Sequence, residues 1–272
     1  MTKLPLAEAT DPMSLLLDIM RQLRDPDSGC PWDLRQDFHT IVPFTIEETY
    51  ELADAIASGD FSQVCDELGD VLFQVVFYAQ MASERRLFDF ADVVEGIAQK
   101  LLRRHPHVFA RNSDEPVSEA DVKERWEAIK GEERQQKNQR GVLDDVPRAL
   151  PALSRSQKLQ KRAARVGFDW PDRVGVHAKV EEELAELSEA ISEGDGVAIE
   201  SEVGDVFLAM VNLARHLGVD AESAVRQANH RFESRFRLME RAAAEDNSDL
   251  QHETLDTLED RWQAAKRHLA SE

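Results

Sequence analysis

Residues 47–78 read EETYELADAIASGDFSQVCDELGDVLFQVVFY, and residues 182–213 read EELAELSEAISEGDGVAIESEVGDVFLAMVNL. Each stretch opens on Glu-Glu-x-x-Glu, passes through Gly-Asp and resumes with Glu-x-x-Asp. Glu47, Glu48 and Glu51 therefore correspond to Glu182, Glu183 and Glu186, and Glu67 and Asp70 to Glu202 and Asp205, at a constant offset of 135. Gly59-Asp60 and Gly194-Asp195 keep the same offset. Such agreement across separate blocks marks an internal repeat. Apolar residues recur three and four apart on both sides of each Gly-Asp, which is the period of a helix and not of a strand. Each stretch thus reads as two helices joined by a short connector, a length that suits antiparallel neighbours.

Outward from this core the repeat continues in the same order. Lys100 and Arg104 match Arg231 and Arg235, and Arg125-Trp126 with Lys130 matches Arg261-Trp262 with Lys266. Two homologous domains follow, at 1–135 and 151–272, with a polar and then Pro-containing linker at 136–150. Period-2 alternation is nowhere sustained, so the fold class is all-α. Helices are expected over 12–24, 45–58, 61–84, 89–104, 118–138, 176–193, 197–217, 220–243 and 254–270. Ser118-Glu119-Ala120-Asp121 resembles a capping box, Asp220 can cap the helix after Gly218, and Pro106 ends the helix before it.

Composition limits the function. The chain has 272 residues, 42% hydrophobic and 32% charged, as expected of a folded protein rich in amphipathic helix and not of a disordered one. No apolar run approaches the ~20 residues that span a bilayer, and the start lacks the basic-then-apolar order of a signal peptide. The expected setting is cytoplasmic and away from membranes. Cys30 and Cys65 are too few for a disulfide framework and lack zinc-type partners. A formal charge of −20 opposes contact with nucleic acid, whose binding needs Lys and Arg to neutralise phosphates. An anionic small substrate would need a bound cation and a few placed basic residues.

The repeat supplies both. Residues three and four apart share a helix face, so Glu48 and Glu51 project together, as do Glu67 and Asp70. Glu183 with Glu186 and Glu202 with Asp205 repeat the arrangement. Four carboxylates brought to one spot repel unless a cation offsets them. A hard, oxygen-seeking ion such as Mg2+ fits, with Mn2+ as a possible substitute. For a single acid in so acidic a chain a solvated helix face is the better reading, but solvated faces have no reason to keep the spacing of all four in both halves. The runs after Asp70 and Asp205 are apolar on nearly every face and are expected to be buried. Lys100 with Arg104 and Arg231 with Arg235 each place two cations one turn apart, as a polyphosphate requires. Trp126 with Lys130, and Trp262 with Lys266, add an aromatic and a cation at the same spacing; for the tryptophans, packing in the core is the commoner role. There is no P-loop and no Gly-x-Gly-x-x-Gly, and no histidine follows a Glu by three residues as a di-iron bundle would require. No nucleophilic Ser or Cys stands in a recognisable motif, which leaves water as the nucleophile.

These motifs, together with Gly29-Cys30-Pro31-Trp32-Asp33 and 103–109 (RRHPHVF), resemble the two-domain MazG-type nucleoside triphosphate pyrophosphohydrolases of the all-α NTP pyrophosphatase group. The resemblance spans nearly the whole chain. It implies hydrolysis of the α–β phosphoanhydride of (deoxy)nucleoside triphosphates to monophosphate and pyrophosphate by metal-activated water, with broad base tolerance. It also implies a homodimer that completes a four-helix-bundle-like core, for which the apolar helices at 71–82 and 206–214 would serve. The carboxyl-terminal half is the expected catalytic one. There Glu183, Glu186, Glu202 and Asp205 would hold the metal, Glu182 would orient or deprotonate the water, and Lys179, Arg231, Arg235, Trp262 and Lys266 would meet an NTP such as ATP. The amino-terminal half keeps the ligands Glu48, Glu51, Glu67 and Asp70 and the substrate-side residues Lys100, Arg104, Trp126 and Lys130; whether it is a second active site, a nucleotide-binding regulatory site or a dimerisation module is open. The competing reading is a non-catalytic helical module that binds nucleotide or a protein partner.

Overall fold

A computed structural model describes residues 11–110, 118, 121, 122, 125, 126, 129, 131 and 141–270. Every regular element among them is helical, which makes the fold all-α. The chain divides into two compact units, Met1–Ile129 and Lys130–Glu272.

In the first unit α1 (Pro12–Leu23) starts on an Asp11 side chain that accepts from the Met13 and Ser14 amides. The short α2 (Pro31–Arg35) leads to α3 (Phe38–Ser58), α4 (Phe61–Glu84), α5 (Phe90–Arg104) and the single turn α6 (Pro106–Phe109). α3 and α4 form an antiparallel hairpin, and α4 also packs on α1 and α5. Met20, Ile41, Val76, Phe77 and Met81 make the core, with Leu17, Phe38, Leu72 and Phe90 against it. α3 begins seven residues before the position expected from sequence, and Pro43 lies inside it. A proline there removes one backbone hydrogen bond. The Asp37–Thr40 capping box and the burial of Ile41 offset that loss.

In the second unit α7 (Ala152–Ala164) is followed by α8 (Arg173–Glu193), α9 (Gly196–His216), α10 (Ala221–Glu245), a 3-10 turn (Leu250–His252) and α11 (Leu255–His268). α8 and α9 form the equivalent hairpin; α7 packs on α9 and α10, and α11 on α10. The two hairpins turn identically. Gly59 and Gly194 close the first helix at φ 75° and 72°, and Asp60 and Asp195 cap the second through their side chains. Only glycine takes that left-handed conformation without a Cβ penalty. Asp220 caps α10, α5 stops at Arg104 ahead of Pro106, and the Ser118 and Asp121 side chains cap each other's amides, all as expected. The rest of the expected 118–138 helix, Lys130 included, falls largely outside the described residues.

Two expectations need correcting. No helix was foreseen at 152–164, because its inward positions are polar. Gln157 donates to the Val219 carbonyl at 2.7 Å and accepts from the Ala221 amide at 3.0 Å, Gln160 donates to the Leu208 carbonyl at 2.8 Å, and Arg162 is buried. The apolar run after Asp205 is also less buried than its composition implied. Ala209 and Val211 are inside, but Phe207, Leu208 and Met210 are 59%, 43% and 47% exposed in the single chain. The matching run in α4 is largely buried within its own unit. No helix among the described residues is long and apolar enough to cross a membrane.

Candidate metal and phosphate site

The connectors set the register of each hairpin, and the register brings the acids together. Ligand oxygens of Glu183, Glu202 and Asp205 lie within 4.8 Å of one another, and those of Glu48, Glu67 and Asp70 do the same in the first unit. Glu183 is buried, and Glu202 and Asp205 are half-buried. Glu51 and Glu186, more exposed, flank these triads, Glu51 within hydrogen-bond reach of Glu48. Three hard oxygen donors at such spacing are the chemistry of a Mg2+-class cation, so the residues present fit the ion that their pattern implies.

The two triads differ in charge compensation. Lys179 Nζ lies 2.9 Å from Glu183 and 2.7 Å from Glu182, and these bonds hold the lysine charged well beyond its ordinary range. At the equivalent position the first unit has Phe44, and among its described residues no ammonium takes that place. Burial, then Asp70, Glu51 and Glu67, push the Glu48 carboxyl above the usual carboxylate range. Glu67 is raised by partial burial and by Glu51, Asp70 and Asp66. Glu186 is raised as well, by partial burial first, with Lys179 opposing and Glu183, Glu182 and Glu202 adding to the rise.

The basic candidates lie on the next helix. Arg231 and Arg235 stand on α10, which leaves α9 after the turn at 217–220 and packs against it only sparsely. The Arg235 guanidinium sits 5.5 Å from the centre of the Trp262 ring, which also contacts Phe232 at 5.3 Å. Trp262 thus supports Arg235. Lys266 is exposed on α11. Among the described residues no hydrogen bond or ion pair joins this arginine–aromatic group to the carboxylates. In the first unit the Trp126 indole donates to the Arg104 carbonyl at 2.8 Å and meets the His105 ring edge-on. That tryptophan braces the end of α5, and Lys100 lies on the same helix.

Sequence reading missed two groups that build the site. Arg261 makes a two-pronged bond to Glu253 at 2.7 and 2.8 Å and reaches Asp246 at 2.9 Å, which fixes the start of α11 and hence Trp262. Its repetition beside tryptophan, as Arg125-Trp126, was the available signal. The second is the 166–172 loop. Asp169 accepts from Arg215 and pairs with His216 at 2.9 Å; chiefly the Arg215 bond, working against partial burial, holds its carboxyl at about 2. The Trp170 ring lies so close over Gly175 that a Cβ there would come within 2.7 Å of it. Gln160, Phe168, Trp170, Asn212 and Arg215 line a cleft of about 310 Å³. Asn212 follows Asp205 by two turns on one face of α9, so the cleft opens roughly 10 Å along that helix from the acids.

An all-helical hairpin that gathers acids in the pattern a hard cation requires, followed in the chain by a helix carrying paired arginines, defines a class: the all-α, carboxylate-centred nucleotide hydrolases. The chain belongs to the MazG nucleotide pyrophosphohydrolase family, whose domain it matches over residues 36–109 and 175–237. It is 54% identical over 254 residues to the nucleoside triphosphate pyrophosphohydrolase of Escherichia coli K12, covering 93% of this chain and 96% of that protein. It is 42% identical over 251 residues to the nucleoside triphosphate pyrophosphohydrolase/pyrophosphatase MazG of Thermotoga maritima, covering 92% and 94%.

Proposed function

We propose that the second unit hydrolyses nucleoside and deoxynucleoside triphosphates to the monophosphate and pyrophosphate, with broad base specificity, in a cytoplasmic homodimer. The observation that carries this reading is the convergence of Glu183, Glu202 and Asp205 with Lys179 bonded at their edge. Glu183, Glu202 and Asp205 would hold Mg2+, with Glu186 beside them. When bound, that ion supplies charge neutralisation at the phosphates and a more acidic water. Glu182, exposed beside Glu183, would take a proton from the attacking water. Lys179, Arg231 and Arg235 neutralise charge on the phosphates, and Trp262 keeps the Arg235 guanidinium in one plane. The base lies in the Phe168–Trp170 cleft, where aromatic contact favours any base and the polar side chains Asp169, Asn212 and Arg215 are bonded to one another. The exposed Phe207 and Met210 side chains of α9 provide an apolar face for the partner subunit.

The test is pyrophosphate release from a panel of NTPs and dNTPs, with and without Mg2+. The unaltered chain should release pyrophosphate from most of the panel only with the cation, and Glu202→Gln should reduce the rate at least ~100-fold without changing helical content. Mg2+-independent release, or full activity in Glu202→Gln, would overturn the proposal.

A further inference from the structure

Gly175 opens a row along one face of α8. Lys179 and then Glu183 follow it at intervals of four residues, so the three stand in line about one turn, or ~6 Å, apart. Glu183 is the buried acid of the triad and Lys179 the ammonium bonded to it. At the head of the row stands the ring of Trp170: a Cβ on Gly175 would meet its Cε3, Cδ2 and Cζ3 atoms at 2.7, 3.3 and 3.4 Å. Any side chain at position 175 would displace that ring. In the first unit Thr40, Phe44 and Glu48 hold the same three places, at the offset of 135. There the seat is filled, and Trp32 packs edge-on at 5.6 Å against the phenylalanine that replaces the ammonium.

Trp170 is also held through its backbone. One oxygen of Asp169 accepts from the Trp170 amide at 2.9 Å while it accepts from Arg215 and pairs with His216 at 2.9 Å, which ties the tryptophan to the end of α9. The residue is thus fixed to both helices of the hairpin, yet it stays 44% exposed and lines the cleft. Tryptophans that serve packing are buried more deeply. A ring pinned against backbone and left this bare is a platform for a second flat ring, and stacking of that kind accepts every base because every base has a π-face.

We infer that Gly175 and Asp169 are positioning residues for the base: Gly175 seats the Trp170 ring, Asp169 fixes its backbone, and the ring so held selects nucleotides over base-free polyphosphates. The inference rests on the placement of the base proposed above and deepens it. A nucleotide then lies along α8, its base at the level of Gly175, its phosphates at Lys179 and the cation at Glu183. The first unit, with Thr40 and Phe44 in that row, has neither the seat nor the ammonium.

The experiment measures binding of adenosine monophosphate and of inorganic tripolyphosphate to the full-length chain by calorimetry, beside KM and kcat for ATP. Gly175→Ala and Asp169→Asn should each weaken the monophosphate and raise KM for ATP about tenfold, with kcat and tripolyphosphate affinity within about twofold. In a Trp170→Ala background neither substitution should cost anything further, because both act through the ring that is gone. Alanine is a better helix former than glycine, so Trp170→Ala/Gly175→Ala keeps its fold and the comparison holds even if Gly175→Ala alone is unstable. Unchanged nucleotide affinity in Gly175→Ala, equal losses for tripolyphosphate and nucleotide, or losses that add to that of Trp170→Ala would overturn the inference. A chain that shows this pattern in monophosphate binding but releases no pyrophosphate from any NTP would uphold it and count instead against the hydrolase reading.

Discussion

Asp169 ties the loop after α7 to the last turn of α9 through Arg215 and His216. Its folded pKa of about 2 lies below the ordinary value near 3.8, so the stabilisation it brings is complete above pH 4. It then drains away as pH falls from about 4 to about 2. Because the side chain is partly exposed, Asp169→Asn should cost on the order of 1 kcal/mol at pH 7, less than the full shift implies. Urea unfolding of the variant and the unaltered chain should differ at pH 7 and converge near pH 2. Trp170, held over Gly175 by the same loop, gives a catalytic counterpart. Trp170→Ala should raise KM about tenfold for every nucleotide with little change in kcat, because it removes binding common to ground and transition states.

At the level of elements, the Gly-Asp connectors carry the site. Gly194→Ala would force a Cβ into the left-handed region at φ 72° and should cost about 1–2 kcal/mol, seen as a lower thermal midpoint for the second unit. The hairpins were legible in the sequence because their acids, connector and helical period all repeat, and repetition separates a triad from a merely acidic surface. α7 was not legible, since glutamines and a buried arginine do on its inward face what leucines usually do. Nor was the early start of α3, where Pro43 looks like a boundary and tertiary packing overrides it. Which acids converge could be narrowed to four in each half, but that three of each four draw tightest together depends on side-chain reach. The Asp169 clamp joins residues 46 positions apart and leaves no periodic trace.

Across the whole molecule, the unequal burial of the two apolar runs sets an expectation about assembly. The α4 run is consumed within its unit, whereas α9 leaves Phe207, Leu208 and Met210 bare. Contiguous bare apolar surface of this kind marks an interface. Phe207→Glu should turn a dimer into a monomer by light scattering while helical content is retained, and a monomeric unaltered chain would count against the dimer.

Lys179 also sets the order in which ligands matter. While it bonds Glu183 and Glu182, it competes with any cation for the same oxygens, and it is not free for a phosphate. Whichever ligand arrives first breaks that bond on behalf of the other. If cation and nucleotide bind there as proposed, they raise each other's affinity by one and the same factor, a reciprocal linkage. A neutral side chain at position 179 would sever that linkage, leaving the cation bound more tightly alone and the nucleotide less responsive to it.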